Sequence, residues 1–469
     1  MNEKDVVIVG GGPAGLSTAL HLHAIAPELA ARSVELEAER YPREKICAGG
    51  IGMRALHALD KIGVTVDVPM VPLDAVAVKL AAGTIVTRVP GCGVVVRRVE
   101  FDHALARAAT ARGIEVRDGC PVTAIEALPD HVRVTAGGEL DRARRVVGAD
   151  GVGGIVRRAT GFPRQELRAQ VCELDTEASS LDLPRDTVVF DMSARELTGY
   201  TWDFPALVGG EPLVCRGAYV IHNLSSESPR ARIATYLAER GLDLAQYKLK
   251  QYAERGFVPG AAISRPRVLL VGEAAGIDIA TGEGIAQAIE YGATAGGYLA
   301  RAFDRDDLGF ASWRGHVDRH HVGWTLRIRH LCYRAFYGQR RPSIERMMPA
   351  LSGLFRVALH DFAGLPQSKL AILRGAGQFL AAYIHERAHE PSQRRRRPSA
   401  TRPISSSEPS PLDPPALQPP STVPSPKPSS TPPAPLPPPS TPPPVPGSEP
   451  EPVPVLPLPL TSSIAFGVP

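Results

Sequence analysis

Residues 6–9, Val-Val-Ile-Val, form an unbroken apolar run that ends at Gly10-Gly-Gly-Pro-Ala-Gly15. Such a run predicts a strand buried on both faces. Behind it Leu16, Ala19, Leu20 and Ala24 recur at three- and four-residue spacing, which predicts a helix. Val34-Glu-Leu-Glu37 predicts a second strand ending on an acid. Residues 72–100 alternate, with Ala75, Val76 and Val78 in one stretch and Val94, Val95 and Val96 in another, and read as strands. Residues 101–112 read as a helix with Leu105, Ala108 and Ala109 on one side. Short strands are predicted at 114–116 and 132–134, flanking the 122–125 segment, and a buried strand at 145–149 runs into Asp150-Gly151.

Residues 160–257 change character. Extended aromatic pieces such as Tyr200-Thr-Trp202-Asp-Phe204-Pro205 precede a helix near 229–240. Residues 268–271 return to a buried strand and 282–299 to a helix. Residues 310–388 read as mostly helical, with an apolar group of Leu351, Leu354, Phe355, Val357, Ala358 and Phe362. No internal repeat of 20–50 residues is present in the sequence. Strands of the nucleotide type therefore bracket an antiparallel segment. This predicts an α/β fold, α+β overall, whose first domain is closed by a strand about 260 residues after the first. The expected organisation is a discontinuous Rossmann-like domain at 1–160 and 258–310. Residues 161–257, with part of 70–100, form an inserted antiparallel-sheet domain, and 311–390 a helical region.

Composition changes the picture at the C-terminus. From Pro391 onward, 28 of the 46 prolines fall within 79 residues, mixed with Ser and Thr. Such a segment cannot form ladders or bury a core, so 391–469 is expected to be a disordered tail with polyproline II character. Its PPAPLPPPSTPPPVP stretch has the chemistry to dock on an aromatic groove of a partner domain, or simply to stay solvated. The net charge of +4 includes six basic and four acidic residues in the tail, leaving about +2 for the rest. That excludes an electrostatic nucleic-acid binder. Arg394–Arg397 is a basic run that reads as solvated or as a contact for anionic lipid.

Six cysteines (Cys47, Cys92, Cys120, Cys172, Cys215, Cys332) show no CxxC pair, so neither a zinc site nor a disulfide framework is indicated. A first strand at about residue 6 leaves no room for a signal peptide, and no apolar run reaches the ~18 residues that span a bilayer. The expected location is the cytoplasm, with peripheral membrane attachment left open.

The glycine turn carries the first chemistry. Gly10-x-Gly12-x-x-Gly15 after a strand and before a helix allows backbone to approach a pyrophosphate, which then rests on the helix N-terminus. Glu37, 22 residues beyond Gly15, is placed to accept hydrogen bonds from a ribose. Together they indicate dinucleotide binding.

Two further segments stand far along the chain: Val146-Val-Gly-Ala-Asp150-Gly-Val-Gly-Gly-Ile-Val-Arg157, and Val268-Leu-Leu-Val-Gly272-Glu273-Ala-Ala-Gly276 through Thr281-Gly-Glu283-Gly284-Ile285. With the glycine turn they resemble the FAD-dependent oxidoreductases of the para-hydroxybenzoate hydroxylase-like fold. Within these, Tyr41-Pro-Arg-Glu-Lys-Ile-Cys47-Ala-Gly49-Gly50 and Tyr200-x-Trp202-x-Phe204-Pro205 resemble the geranylgeranyl reductase family over about residues 4–300. The resemblance implies FAD as cofactor. It implies contacts from Gly10, Gly12, Ala14, Gly15, Glu37, Ala48, Gly50, Arg98, Val122, Asp150, Glu273, Gly284 and Ile285. It implies catalytic positions at Cys47, Tyr200 and Trp202.

Three departures stand out: Glu273 where the family usually has Asp, Ala280 where Pro is frequent, and Gly154 where Ser is frequent. By the resemblance Glu273 meets the ribitol and the helix after Gly284 faces the flavin pyrimidine ring, where its dipole stabilises charge near N1.

Several positions keep two readings. Asp150 serves a ribose edge or a plain Asp-Gly turn. Arg98 touches the ribityl-phosphate side or pairs with Asp102, and Arg97 next to it is an alternative. Cys47 is a buried small side chain or a group that orients substrate or delivers a proton. Tyr200, Trp202 and Phe204 form core or an aromatic wall suited to cationic carbon and an isoprenoid. His21 and His23 read as structural, and His320 and His321 receive no role.

The expected function is saturation of C=C bonds in a polyprenyl lipid by hydride from reduced flavin, with NAD(P)H or a ferredoxin-type protein as electron donor. The alternative is a flavin monooxygenase or halogenase on an apolar or aromatic substrate. Against it stand Gly276, where hydroxylases often show His, and the absence of a full Trp-x-Trp-x-Ile-Pro segment.

Overall fold

The computed structural model describes residues 2–221, 227–338 and 340–389. The proline-rich tail and Arg394–Arg397 lie outside the described residues. Strand β1 (Asn2–Val9) turns into α1 (Pro13–Ile25), α2 (Pro27–Ala31) and β2 (Ser33–Leu36). Next come β3 (Gly50–Gly52), α3 (Met53–Asp60), β4 (Met70–Leu80), β5 (Gly83–Val96) and α4 (Arg98–Thr110). They are followed by β6 (Glu115–Arg117), β7 (Val122–Ala127), β8 (Val132–Ala136), β9 (Glu139–Gly148) and α5 (Ile155–Ala159). The middle of the chain gives β10 (Arg168–Thr176), β11 (Thr187–Asp191), β12 (Gly199–Val208), β13 (Glu211–Ile221), α6 (Pro229–Ala238) and β14 (Lys250–Arg255). β15 (Ser264–Arg265), β16 (Val268–Leu270), α7 (Gly272–Ala275) and α8 (Ile285–Asp304) return to the first sheet. α9 (Trp313–Arg319), α10 (His321–Phe336), α11 (Arg341–Met347), α12 (Ser352–Phe362) and α13 (Lys369–His389) complete the described chain.

The first sheet runs β15-β16-β9-β1-β2-β6, with β7 and β8 added through β9. The contacts β16–β9, β9–β1, β1–β2 and β2–β6 are all parallel. β1 is longer than the apolar run because Asn2 already pairs with Asp141 on β9. Val6–Val9 are buried, as are Val146, Val147 and Val268–Leu270. That two-sided burial is why these strands read as continuous apolar runs. Chain order reverses at β1: β2 lies on one side and β9 on the other, the arrangement that opens a ligand crevice at the strands' carboxyl ends.

The second sheet has the order β14-β10-β13-β12-β11-β4-β5-β3. It is antiparallel except at β11–β4, which pair in parallel. It thus takes three strands from residues 50–96 as well as those after 160. On one face Cys172, Leu174 and Ala218 pack on α6 through Ile233, Tyr236 and Leu237. The other face carries Tyr200, Trp202, Phe204 and Tyr219 toward the first sheet's ligand edge.

Several boundaries differ from expectation. α4 begins at Arg98, three residues early, because Arg98 pairs with Asp102 one turn on. The strand expected at 145–149 starts at Glu139, where β8 pairs with it. α8 starts at Ile285 and not at Gly282, because Gly282 has φ +69° and stays in the preceding turn. Of the apolar group at 351–362, Leu351 is buried, whereas Leu354 and Ala358 are exposed. Phe362 lies where a Cβ on Gly52 or Gly93 would be.

Candidate functional site

Register fixes the site. Val9 of β1 lies opposite Leu36 of β2 and Gly148 of β9, and Gly148 lies opposite Leu270 of β16. The residues that follow, Gly10, Glu37, Asp150 and Glu273, therefore leave four adjacent parallel strands at one level. Segments more than 250 residues apart in the chain converge on one edge.

Gly10 has φ +109°, and a Cβ there would lie 2.5 Å from the Ala149 carbonyl oxygen. Only glycine meets both demands. Gly12 caps α1 without a side-chain hydrogen bond, Pro13 is the first helical residue, and the nearest atom to a Cβ on Gly12 is Nη2 of Arg98 at 3.8 Å. The first N–H groups of α1 thus face open space beside a guanidinium, as an anion site requires. Gly15 packs on the Gly10 carbonyl, and Ala14 is buried with its Cβ close to Gly272.

Glu37 accepts from the Gly11 N–H (2.8 Å) and the Glu39 N–H (3.1 Å), and pairs with Arg43 (3.1 Å). Arg43 also pairs with Asp102 (3.1 Å) and donates to the Gly11 carbonyl (2.9 Å). Val122 begins β7, two residues after Cys120, whose N–H donates to the Glu37 carbonyl (2.8 Å). Two residues earlier on β2, Glu35 is fully buried and neither carboxylate oxygen has a partner. Burial, then the neighbouring Glu37 charge, pushes its carboxyl well above the usual range.

Of the two readings of Arg98, the structure shows the pair with Asp102. It forms a bidentate pair with Asp102 (2.6 and 2.7 Å), and it sits between Gly12 and the Cys47 thiol. Arg97 points elsewhere, to Asp175 (3.0 Å). Asp150 accepts from the Val156 N–H (2.8 Å), holding the start of α5, while its Oδ1 is buried without a partner. Its carboxylate occupies the space a Cβ on Gly154 would need, so a side chain at 154 requires the Asp150 carboxylate to move. Glu273 accepts from the Arg255 N–H (3.1 Å) and its Oε2 approaches Gly151. The extra methylene is thus used to span the gap toward the Asp150-Gly151 turn. Burial raises the Glu273 carboxyl, opposed by Lys45 and Arg255.

Gly284 caps α8 with no side-chain bond, leaving the N-terminus of a 20-residue helix free, and Ile285 is buried behind it. The preceding turn is pinned from several sides. Asp278 accepts from the Ala280 N–H (2.7 Å) and from Arg329 of α10 (2.8 Å), and Arg329 also pairs with Glu283. The Tyr200 hydroxyl donates to the Thr281 carbonyl (2.5 Å).

Opposite this turn stands the second sheet. Tyr200 stacks on Tyr219 (ring centroids 4.9 Å apart), and Phe190 meets Tyr200 and Phe204 edge-on at 5.3 and 5.5 Å. Trp202 lies over Gly217, and Phe204 over Gly50. These aromatics are buried in the second sheet's core, on the face toward this turn. The 42–50 loop crosses between the sheets. Cys47 donates its N–H to Glu173 (2.9 Å), Ala48 packs on the second core, and Gly49 accepts from the Val96 N–H (3.0 Å). Burial raises the Cys47 thiol, Arg98 opposing, so it stays protonated at neutral pH.

Sequence reasoning missed the acids of this wall. Glu173 is buried, its Oε2 lacks a partner, and burial pushes its carboxyl up to about 7. Glu254 on β14 lies beside Tyr219 with its Oε2 shut off from solvent and unpartnered. The alternation Lys250, Tyr252, Glu254 was a signal for one strand face, but nothing in the sequence tells which face is inward. His321 also has a place: it contacts Glu290 (3.0 Å) and Asp361 (3.0 Å), beside Arg54. His21 bonds the Ser17 carbonyl within α1, as a structural histidine does.

FAD fits these residues. An uncapped glycine-lined helix start beside Arg98 suits a pyrophosphate, Glu37 and the orphan Asp150 oxygen suit ribose or ribityl hydroxyls, and the free start of α8 suits the electron-rich edge of the ring.

Comparisons with known proteins agree. A family model described as an FAD binding domain matches residues 3–201. An uncharacterised protein of Methanosarcina barkeri is 28% identical over 329 residues, 66% of this chain and 79% of that one. The rifampicin monooxygenase of Streptomyces venezuelae is 32% identical over 193 residues, 38% of this chain and 39% of that enzyme. Among solved structures, a geranylgeranyl bacteriochlorophyll reductase-like protein from Thermoplasma acidophilum superposes with TM-score 0.59 at 17% identity, covering 83% of this chain and 99% of that one, which shows a shared fold.

Proposed function

Because the chain carries an FAD-binding domain within the fold of the FAD-dependent oxidoreductases, we propose that it is a reductase saturating C=C bonds of an apolar polyprenyl lipid. The observation that carries this reading is the wall facing the α8 turn: aromatic rings, a protonated thiol and acids whose carboxyls are raised by burial. FAD, when bound and reduced, supplies a hydride. Everything else asked of the site is protein work. Gly12 and Arg98 hold the pyrophosphate, Glu37 and Asp150 take sugar hydroxyls, and Glu273 meets the ribitol. The start of α8 stabilises negative charge on the reduced ring. Tyr200, Trp202, Phe204 and Tyr219 exclude water and face a carbon that gains cationic character. Cys47, beside Arg98 and Glu173, orients the alkene or hands on a proton.

The electron donor is proposed to be NAD(P)H or a ferredoxin-type protein. Peripheral membrane contact is proposed through α10 and α13, where Leu331, Leu370, Leu373, Leu380 and Ile384 are exposed. No helix among the described residues is long and apolar enough to cross a membrane.

A second reading, oxygen-dependent hydroxylation or halogenation, is favoured by the rifampicin monooxygenase similarity. Incubating the FAD-loaded enzyme with NADPH, oxygen and geranylgeranyl lipids separates the two. Products heavier by two hydrogens support the reductase. Substrate-stimulated oxygen uptake with products heavier by one oxygen supports the second reading.

A further inference from the structure

α13 (Lys369–His389) is held on one side and open on the other. On the held side a Cβ on Gly375 would lie 3.6 Å from Leu354 of α12, Gln378 lies against Gly353, and Glu386 pairs with Arg346 of α11. At about 100° of turn per residue, the side opposite Gly375 and Gln378 carries Leu373 and Leu380. Leu373 is 68% exposed and Leu380 57%, with Leu370 and Ile384 exposed beside them. Phe379 flanks this stripe on one edge and Arg374 on the other, both exposed. A single exposed leucine needs no explanation, but four on one side of a helix form an uncovered apolar surface.

Charge decides what covers it. From the start of α9 to the end of α13, residues 313–389 hold twelve Lys and Arg against four Asp and Glu, a net of +8 in a chain whose total is +4. Each of those four acids is already paired: Asp318 with Arg314 and Arg327, Glu345 with Arg341, Asp361 with Arg54 and His321, and Glu386 with Arg346. Arg334, Arg356, Lys369 and Arg374 are exposed and make no ion pair among the described residues. The sequence runs on from His389 into Arg394-Arg-Arg-Arg397. A second copy facing this surface would bring the same cations against it, which like-charge contact disfavours. An anionic bilayer meets both demands, taking leucines at the acyl boundary and cations at the headgroups.

We propose that α13 lies along the surface of an anionic bilayer, with Leu373 and Leu380 at the acyl boundary and Lys369 and Arg374 on the charged headgroups. The proposal rests on the peripheral membrane contact proposed above and gives it a face, a lipid charge and an orientation. The helix lies in the plane and does not cross it, since no helix among the described residues is long and apolar enough to span. α10 turns the same mixture outward: Trp324, Ile328 and Leu331 are exposed at four- and three-residue spacing, with Arg334 exposed beside them. Its other side carries Arg329, which clamps Asp278 and Glu283. One helix therefore separates that outward stripe from the turn before α8.

The test is co-sedimentation of FAD-loaded full-length protein with two kinds of vesicle, pure phosphatidylcholine and a mixture with roughly one-third phosphatidylserine. The wild type should bind the anionic vesicles at least tenfold more tightly than the neutral ones. Raising salt from about 0.1 M to about 0.5 M should erase most of that difference, because surface charges are then screened. L373E/L380E should weaken binding to anionic vesicles at least tenfold, and K369E/R374E at least threefold, with FAD affinity within twofold of wild type in both. If L373E/L380E does not bind FAD, L373Q/L380Q replaces it, with the same loss expected. Equal binding to both vesicles overturns the proposal and leaves an uncharged peripheral contact standing. Binding that survives both α13 variants but is lost when Arg394–Arg397 are all changed to Gln in the full chain belongs to the tail, and overturns it. No binding to either vesicle overturns it together with the peripheral contact. Light scattering then tells whether a second copy covers the face, as a dimer that L373E/L380E makes monomeric. None of these results touches the reductase reading, which the lipid-product assay above decides.

Discussion

At the residue scale the site is a set of glycines and acids whose neighbours leave them few substitutes. Gly282 is at φ +69° and is packed against Tyr200, Tyr219 and Glu254. Gly282→Ala should cost about 1–2 kcal/mol from the left-handed backbone alone. It should also push Tyr200 off the Thr281 carbonyl, so turnover should fall by more than FAD affinity; comparing FAD titration with steady-state rates checks this. Glu35 offers the opposite case. It is buried under Gly15 with no partner for either oxygen. Glu35→Leu should stabilise the protein by about 1–3 kcal/mol, because an orphan buried acid is replaced by an apolar group of similar size. The sign with pH follows. A carboxyl raised in the folded state helps stability only below its unfolded value of 4.5, so wild-type stability falls above that pH through this group. Urea melts at pH 5 and pH 8 should show a larger gain for Glu35→Leu at pH 8, and an equal gain at both would contradict the assignment. The 42–50 loop was legible in the sequence, since Pro42-Arg43 through Gly50 is a recognisable string. Glu173 and Glu254 were not, because their chemistry comes from strand pairing that no local pattern encodes.

At the element scale, α10 and α12 are tied to the cofactor edge by charge. Arg54 of α3, Glu290 of α8, His321 of α10 and Asp361 of α12 form one cluster. Burial lowers the His321 pKa, but the bonds to Asp361 and Glu290 outweigh it, raising it from 6.5 to about 9. A histidine raised in the folded state adds stability that is complete below 6.5 and is lost as pH climbs through about 9. Thermal melting between pH 6.5 and 9.5 should show Tm falling in the wild type, with a flatter profile in His321→Gln. Likewise Arg329 clamps Asp278 and Glu283. Arg329→Met leaves two buried acids unpaired, so FAD affinity should drop at least tenfold, as measured by flavin fluorescence titration. The sequence showed that 310–388 is helical, yet it gave no hint that these helices hold the turn before α8. Ion pairs between segments 30 to 300 residues apart have no local signature.

At the scale of the whole molecule, strand order does the main work. β16, β9, β1 and β2 end in register, so chain segments starting at residues 10, 37, 150 and 273 meet at one edge. The apolar runs at 6–9, 145–149 and 268–271 announced these strands because both their faces are buried. The second sheet was less legible: it borrows three strands from residues 50–96 and contains one parallel pair, which alternation alone does not reveal. Together the two sheets set the glycine-lined edge of the first against the aromatic, acid-bearing face of the second.

The most direct measurement of that account is anaerobic stopped-flow absorbance of the FAD-loaded, chemically reduced protein mixed with geranylgeranyl lipid. The account predicts return of the oxidised-flavin spectrum without oxygen, one lipid gaining two hydrogens per flavin. A flavin that stays reduced until oxygen is admitted, and then reoxidises faster with lipid present, would contradict it.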